Sequence, residues 1–125
     1  MADATLVYDD DCGFCTWWAE FFDDRSDLEI VGFSDLEGKP ELRAKLPDEY
    51  ETCSHLVADG TRYSCGASIE EAWLHTDLGS FARPVVETLR TIGMYGVARE
   101  WGYRRFSGNR SFWGRLLSKT PPVRR

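Results

Sequence analysis

Two cysteines with two residues between them form the group in this chain that is best suited to chemistry. Cys12 and Cys15 enclose Gly-Phe, after a β-prone segment at residues 4–8 and at the start of an apolar stripe with helical spacing. In the first turn of a helix this spacing brings the two sulfurs within bonding distance, and the helix N-terminus stabilises a thiolate. The pattern therefore predicts dithiol–disulfide exchange, in which Cys12 attacks and Cys15 resolves the mixed disulfide.

Three consecutive aspartates, Asp9, Asp10 and Asp11, directly precede the first cysteine. Negative charge beside Cys12 disfavours its thiolate form and opposes the effect of the helix N-terminus, which favours a reducing over a strongly oxidising role. Two other interpretations remain open: a solvated turn that caps the helix, and a buried aspartate that assists proton transfer to Cys15.

The other two cysteines, Cys53 and Cys65, flank a predicted β-hairpin. Near the sheet end that carries Cys12, Cys53 would act as a third thiol, or it would be a small apolar filler at the start of a strand. With His55, the four cysteines also supply enough ligands for tetrahedral zinc, although no second Cys-x-x-Cys supports that spacing. We favour the redox interpretation, which requires no metal or organic cofactor, and expect His55 to be a core histidine.

The predicted elements place the Cys-x-x-Cys motif between a strand and a helix. Their order is β-α-β-(α)-β-β-α: strands at 4–8, 28–33, 54–58 and 61–64, helices at 13–24 and 68–75, and a short helix within 36–46. Asp59-Gly60 favours a tight hairpin turn, and Ser68 with Glu71 forms a capping-box pattern. This order predicts an α/β, thioredoxin-like three-layer sandwich with an added C-terminal helical segment.

Charge is divided unevenly along the chain. Residues 1–78 contain 19 acidic and 5 basic residues, a balance of −14, whereas residues 79–125 contain 2 acidic and 10 basic residues, a balance of +8. We interpret the chain as one domain with a catalytic core at 1–78, a helical cap at 79–117 broken at four glycines, and a frayed tail at 118–125. The cap arginines are expected to pair with core acids; a partner protein is the main alternative, and nucleic acid is disfavoured by the net charge of −6.

Targeting signals are not expected. The N-terminus lacks a cationic start followed by an apolar run, and no window approaches the roughly 18 apolar residues of a spanning helix. These features predict a cytoplasmic protein without a transmembrane segment. In that compartment a close cysteine pair is typically redox-active or metal-binding, because structural disulfides are rare.

The segment at 6–15, Leu-Val-Tyr-Asp-Asp-Asp-Cys-Gly-Phe-Cys, resembles the opening signature of the DCC family of thiol-disulfide oxidoreductases, an apolar strand followed by Tyr-Asp-Gly-Asp-Cys-x-x-Cys. Later stretches at 56–60, 63–72, 97–99 and 103–106 are also similar to the family. The resemblance implies that Asp9 and Asp11 are signature positions beside Cys12 and Cys15. Asp10 departs from the usual glycine, but aspartate tolerates a left-handed backbone better than most residues.

Such an activity requires a protein or small-molecule disulfide as substrate and a reductase, not identified by the sequence, as the electron source. Thioredoxins hold the substrate backbone with a cis-proline just before the third strand. This chain has Thr52-Cys53-Ser54 at that point, so we do not expect the usual clamp.

Overall fold

A four-stranded mixed sheet forms the centre of the computed structural model, which describes residues 4–117, 119 and 121–124. The strands are β1 (Ala4–Tyr8), β2 (Glu29–Gly32), β3 (His55–Ala58) and β4 (Thr61–Ser64), in the spatial order β2-β1-β3-β4. β1 is parallel to β2 and antiparallel to β3, and β3 and β4 form the hairpin. The mixed sheet confirms the predicted α/β, thioredoxin-like class, and only β2 and β3 are shorter than predicted.

Six α-helices accompany the sheet in the described part of the chain. They are α1 (Gly13–Arg25), α2 (Pro40–Ala44), α3 (Gly66–Leu74), α4 (Arg83–Arg90), α5 (Gly93–Ser107) and α6 (Arg110–Trp113). Short 3₁₀ turns occupy Phe33–Gly38, Tyr50–Thr52, Ser80–Ala82 and Pro122–Arg124. The helix predicted at 13–24 is therefore confirmed with one more residue at its end.

Alternating side chains of the strands build two cores, one on each face of the sheet. Leu6 and Leu56 pack with Phe22 of α1 and Ala72 of α3 on one face. Val7, Val31 and Val57 pack on the other face, against the segment that contains Leu36 and Leu46. Because successive strand residues point to opposite faces, this alternation produces the predicted three layers.

The hairpin turn follows from its two residues. Asp59 has φ 50° and Gly60 has φ 77°, and both therefore occupy the left-handed region. A two-residue turn with two positive φ values matches the twist of the flanking strands, and Asp-Gly is well suited to it. The predicted tight hairpin is confirmed.

The apolar stripe of α1 faces the sheet and the C-terminal helices. Phe14 and Phe22 are buried, while Trp17, Trp18 and Phe21 are half-buried. Trp18 and Phe21 lie at ring-centroid distances of 6.0 and 5.2 Å from Trp73 of α3. The expected core-facing surface is thus an aromatic contact between the two helices that pack on the same side of the sheet.

The capping box predicted at Ser68 is wrong. α3 begins at Gly66, two residues earlier, with Cys65 as its N-cap residue. The Ser68 hydroxyl donates to the Cys65 carbonyl at 2.6 Å. Glu71 binds Arg83 and Arg90, each at 3.0 Å, instead of folding back on the helix start. Ion pairs with arginines that are distant in sequence therefore take the place of the capping interaction that the local pattern predicts.

Two of the four predicted helix breaks are also wrong. Gly93 begins α5 and Gly108 follows its last residue, as expected, but Gly96 and Gly102 lie inside the helix. A glycine within a helix costs only about 1 kcal/mol, which packing against α3 can offset. Of the tail predicted to fray at 118–125, residues 118, 120 and 125 lie outside the described residues. The described remainder is anchored, because the Lys119 amide donates to the Gly13 carbonyl at 3.1 Å.

His55 is a core histidine, as predicted, and is only 1% exposed. Its Nε2 donates to the Tyr50 carbonyl at 2.8 Å, and its Nδ1 lies 2.9 Å from the Ser64 hydroxyl. Burial lowers the pKa of His55 below its usual 6.5; the Tyr50 carbonyl opposes this shift and the charge of Arg62 adds to it. The neutral imidazole is therefore the form that the fold accommodates.

We expect the free energy of unfolding to fall as the pH falls below 6.5, the pKa that His55 has when exposed. The unfolded chain then binds a proton that the folded chain excludes, so that stability is retained above this pH and lost below it. Urea unfolding between about pH 8 and about pH 5 measures the slope. His55→Gln, which can still donate to Tyr50, is expected to reduce the slope. An unchanged slope in this variant would contradict the assignment.

Candidate active site

The Cys-x-x-Cys motif lies where β1 passes into α1. Cys12 is the N-cap residue of α1, with extended φ and ψ of −121° and 120°, and its Sγ accepts a hydrogen bond from the Cys15 amide at 3.2 Å. The Cys12 carbonyl accepts from the amide and the hydroxyl of Thr16 at 2.9 and 2.8 Å. Both cysteines are half-buried. The predicted placement at the start of the helix is confirmed.

The three aspartates have three different environments. Asp11 is exposed, and its amide donates to Asp9 Oδ1 at 3.0 Å. Asp10 is only 4% exposed, and its carboxylate accepts hydrogen bonds from both the amide and the hydroxyl of Ser34. A side chain at Gly32 would collide with this carboxylate. Asp10 therefore ties the site to the end of β2.

The turn does not need the left-handed backbone that we expected at Asp10. In the described part of the chain, positive φ occurs only at Asp59, Gly60 and Cys65. The substitution of the usual glycine is accommodated instead by hydrogen bonds from Ser34 to the carboxylate.

Replacing Asp10 with glycine is expected to reduce the free energy of unfolding by about 1–3 kcal/mol, because the hydrogen bonds from Ser34 to a buried, charged acceptor are lost. Asp11→Gly is the matched control, since it adds the same backbone freedom at an exposed position. Chemical denaturation of both variants measures the difference. Equal losses in the two variants would show that the Ser34 contacts contribute nothing.

Cys53 and Cys65 are joined by a disulfide, with their Cα atoms 5.1 Å apart. Cys53 directly follows the turn at Tyr50–Thr52, and the Cys65 amide donates to the Ser54 carbonyl at 2.9 Å. The bond was not predicted, although the hairpin register contained the signal: His55 pairs with Ser64, so that Cys53 and Cys65 lie just beyond the paired ends. In this state Cys53 is half of a disulfide, and its role as a third thiol stays a prediction.

A largely apolar cavity of about 470 Å³ is lined by residues of α1, α3 and α5. Its walls include Cys15 from the motif and Cys53 from the disulfide, together with Asp9. The cap contributes Gly102 and Phe106 of α5, and the Phe106 ring lies 5.5 Å from that of Phe14. The C-terminal helices therefore form one wall of the space beside the motif.

The sequence of the chain matches the family model of the DCC1-like thiol-disulfide oxidoreductases over residues 6–116. The chain belongs to this family. The match confirms the resemblance to the family, and it extends from β1 through the sheet, the disulfide and most of the cap. No curated protein and no solved structure matches the chain. Across residues 4–117, 119 and 121–124, no helix is long and apolar enough to cross a membrane.

The zinc alternative has no support in this DCC1-like chain. Cys53 and Cys65 are bonded to each other, and both ring nitrogens of His55 are engaged by Tyr50 and Ser64. Three of the five proposed zinc ligands thus already take part in other bonds. Over the described residues, no cluster of three or more histidine, cysteine or acidic side chains could hold a metal ion.

Two neighbouring glutamates of α3 hold the cap of the DCC1-like chain. Glu71 binds Arg83 and Arg90 at 3.0 Å each, and Glu70 binds Arg90 at 2.6 Å and Arg99 at 3.3 Å. Burial opposes the charge of Arg90, but its bonds to both glutamates raise its pKa above the usual value. The expected pairing of cap arginines with core acids is confirmed for these three arginines.

Two other cap arginines face solvent. Arg104 and Arg105 are exposed on α5, and Arg105 lies over the ring of Trp101 at 5.2 Å. Trp101 itself is 63% exposed. Binding of an acidic partner protein to this surface stays a prediction from the sequence. The prediction that nucleic acid is not the partner likewise stays untested.

Proposed function

We propose that this chain catalyses dithiol–disulfide exchange through Cys12 and Cys15. One observation carries the proposal: Cys12 Sγ lies at the N-terminus of α1 and accepts the Cys15 amide hydrogen at 3.2 Å. A hydrogen-bond donor and the helix dipole both stabilise negative charge on this sulfur. The family to which the chain belongs is named for the same chemistry.

The reaction begins when the Cys12 thiolate attacks one sulfur of a substrate disulfide. The other substrate sulfur leaves as a thiolate and takes up a proton, and a mixed disulfide with Cys12 remains. Cys15 then loses its proton and attacks Cys12 Sγ, and the second substrate sulfur leaves and is protonated. The substrate gains two electrons and the motif becomes a disulfide, which an external reductase returns to the dithiol.

Asp9 is the proposed proton acceptor for Cys15. Both residues line the same cavity, and Asp9 is half-buried. The Asp11 amide donates to Asp9 Oδ1 at 3.0 Å and so helps to orient that carboxylate. The sequence interpretation gives this role to a buried aspartate. The buried one, Asp10, is bound by Ser34, and the proposal therefore assigns the role to the half-buried Asp9.

The proposed substrates are protein or small-molecule disulfides, and the proposed location is the cytoplasm. The division into a catalytic core at 1–78 and a helical cap at 79–117 within one domain is retained as part of the proposal. The described peptide bonds include none in the cis form. The chain has Thr52-Cys53-Ser54 where thioredoxins have the proline that holds the substrate, and we assign substrate binding to the apolar surroundings of Cys15 instead.

A thiol count combined with metal analysis tests the proposed function. With Cys53 and Cys65 bonded we expect two thiols and no stoichiometric zinc, and complete reduction should raise the count to four. Mild oxidation of the form with Cys53 and Cys65 bonded should reversibly remove the two thiols of Cys12 and Cys15. The reduced protein should also cleave a chromogenic aromatic disulfide repeatedly when a dithiol reductant is supplied. Stoichiometric zinc, or a failure to turn over this disulfide, would contradict the proposal.

A further inference from the structure

We propose that Cys53–Cys65 is a second redox pair, which takes two electrons from Cys12 and Cys15 by exchange within the molecule. The inference rests on the proposed function and adds an internal acceptor to it. The observation behind it is that Cys15 and Cys53 line the same cavity. The two pairs therefore share one space beside the motif, in which the proposed exchange takes place.

Sheet topology brings the two pairs to the same place. β1 runs directly towards Cys12, and the antiparallel β3 starts beside the end of β1, with Val7 opposite His55. The residues just after β1 and just before β3 therefore lie at one end of the sheet. Asp9 and Cys53 are such residues, and both form part of the cavity wall.

The two sulfurs of the disulfide differ in their access to the motif. Cys53 is only 5% exposed to solvent, yet it lines the cavity with Cys15. Cys65 lies at the N-cap of α3, outside the residues of that wall. Attack from the motif is therefore directed to Cys53 Sγ, and the Cys65 sulfur is the leaving group.

The backbone at Cys65 also distinguishes this bond from an ordinary structural link. Its φ of 57° and ψ of −124° lie in a region that residues with side chains rarely occupy. Such backbone strain is found preferentially at functional sites and persists only where the surroundings enforce it. The disulfide is one of the restraints that hold Cys65 in this conformation. When the bond opens, the backbone between β4 and α3 can move to a less strained conformation.

The exchange balances without a further reactant. The Cys15 thiolate attacks Cys53 Sγ, a Cys15–Cys53 bond forms, and the Cys53–Cys65 bond breaks as Cys65 leaves and is protonated. The Cys12 thiolate then attacks Cys15 Sγ, and Cys53 leaves and is protonated. Cys12 and Cys15 are oxidised to a disulfide, and Cys53 and Cys65 are reduced to two thiols.

The Cys12→Ser variant stops this sequence at its first step. Starting from the variant with Cys53–Cys65 bonded, we expect molecules that contain a Cys15–Cys53 bond and a thiol on Cys65. Acid quenching, alkylation and trypsin digestion detect them, because cleavage after Arg25 and Arg62 separates Cys15, Cys53 and Cys65 into three peptides. An intramolecular step gives the same yield over about a tenfold dilution of the protein.

The double variant Cys12→Ser/Cys15→Ser is the control, since it keeps the disulfide and lacks the attacking sulfur. In the wild-type protein, dithiothreitol should expose the Cys53 and Cys65 thiols at least about tenfold faster than in this variant. Exchange in either measurement supports the proposal. The proposal would be overturned if no Cys15–Cys53 bond formed in Cys12→Ser and if dithiothreitol reduced the Cys53–Cys65 bond equally fast in the wild-type protein and the double variant. Exchange that occurs only between molecules would also overturn it.

Turnover of the chromogenic disulfide by the wild-type protein separates this result from the proposed function. Turnover with a Cys53–Cys65 bond that stays in place contradicts only the internal acceptor. Absence of turnover contradicts the proposed function itself.

Discussion

Replacing Cys12 with serine is expected to lower the turnover of a disulfide substrate by about a thousandfold or more, because the variant lacks the attacking sulfur. The serine hydroxyl can still accept the Cys15 amide hydrogen, so that the start of α1 should be retained. Turnover of the chromogenic disulfide measures the loss. Asp23→Asn, at an exposed position in the last part of α1, is the control and should behave as the wild-type protein does.

Cys15→Ser is expected to behave differently although it removes the same group. Attack by Cys12 remains possible, but release of the substrate is slow, and a mixed disulfide with Cys12 should accumulate. Mass spectrometry of the intact protein detects this adduct as an increase in mass that corresponds to one of the two halves of the disulfide substrate. Full turnover by the Cys12→Ser variant would show that the motif is not the reaction centre.

Replacing both Arg83 and Arg90 with glutamine is expected to cost about 3–5 kcal/mol of unfolding free energy, nearer the lower figure because Arg83 is partly exposed. The Glu71 side chain is only 3% exposed and would keep His75 as its nearest basic neighbour, at 3.4 Å. A buried carboxylate without its arginines is poorly solvated. Urea unfolding near neutral pH measures the loss.

The third substitution, Glu71→Gln, tests whether the buried charge is the cause. Added to Arg83→Gln/Arg90→Gln, it removes the charge and should restore more than half of the lost stability. Arg104→Gln/Arg105→Gln removes the same charge from exposed positions of α5 and should change the unfolding free energy little. If the control variant lost as much unfolding free energy as the Arg83/Arg90 variant, the change in net charge would be the cause and not the ion pairs with Glu71.

Local sequence patterns predicted the parts of this fold that local forces determine. The Asp59-Gly60 turn needs two positive φ values, which its two residues tolerate, and the spacing of Phe14, Trp18 and Phe22 places them on one side of a helix. The Cys-x-x-Cys motif was located for the same reason, since its geometry depends only on one helical turn.

The features that were missed depend on residues distant in sequence. Glu71 was predicted to cap its own helix, but Arg83 and Arg90, 12 and 19 residues further on, bind it. The run of three aspartates predicts an acidic turn at Asp10, whereas the hydrogen bonds that Asp10 accepts come from Ser34, 24 residues away. Predicting the Cys53–Cys65 bond requires the register of the hairpin, which brings the two cysteines side by side. The residue types alone do not indicate this pairing.

The return of the C-terminal tail to α1 has a practical consequence for work on this protein. The amide of Lys119 donates to the Gly13 carbonyl, and that of Val123 donates to the Asp10 carbonyl at 3.4 Å. An affinity tag or fluorophore attached near Val123 would therefore lie close to the start of α1, which carries the reactive thiols. Ala4 lies at the opposite end of β1, about 13 Å from Tyr8 over the four steps of a five-residue strand, so a label attached at Ala4 lies farther from the thiols. Labelled protein for thiol assays is better made with the label at the amino terminus.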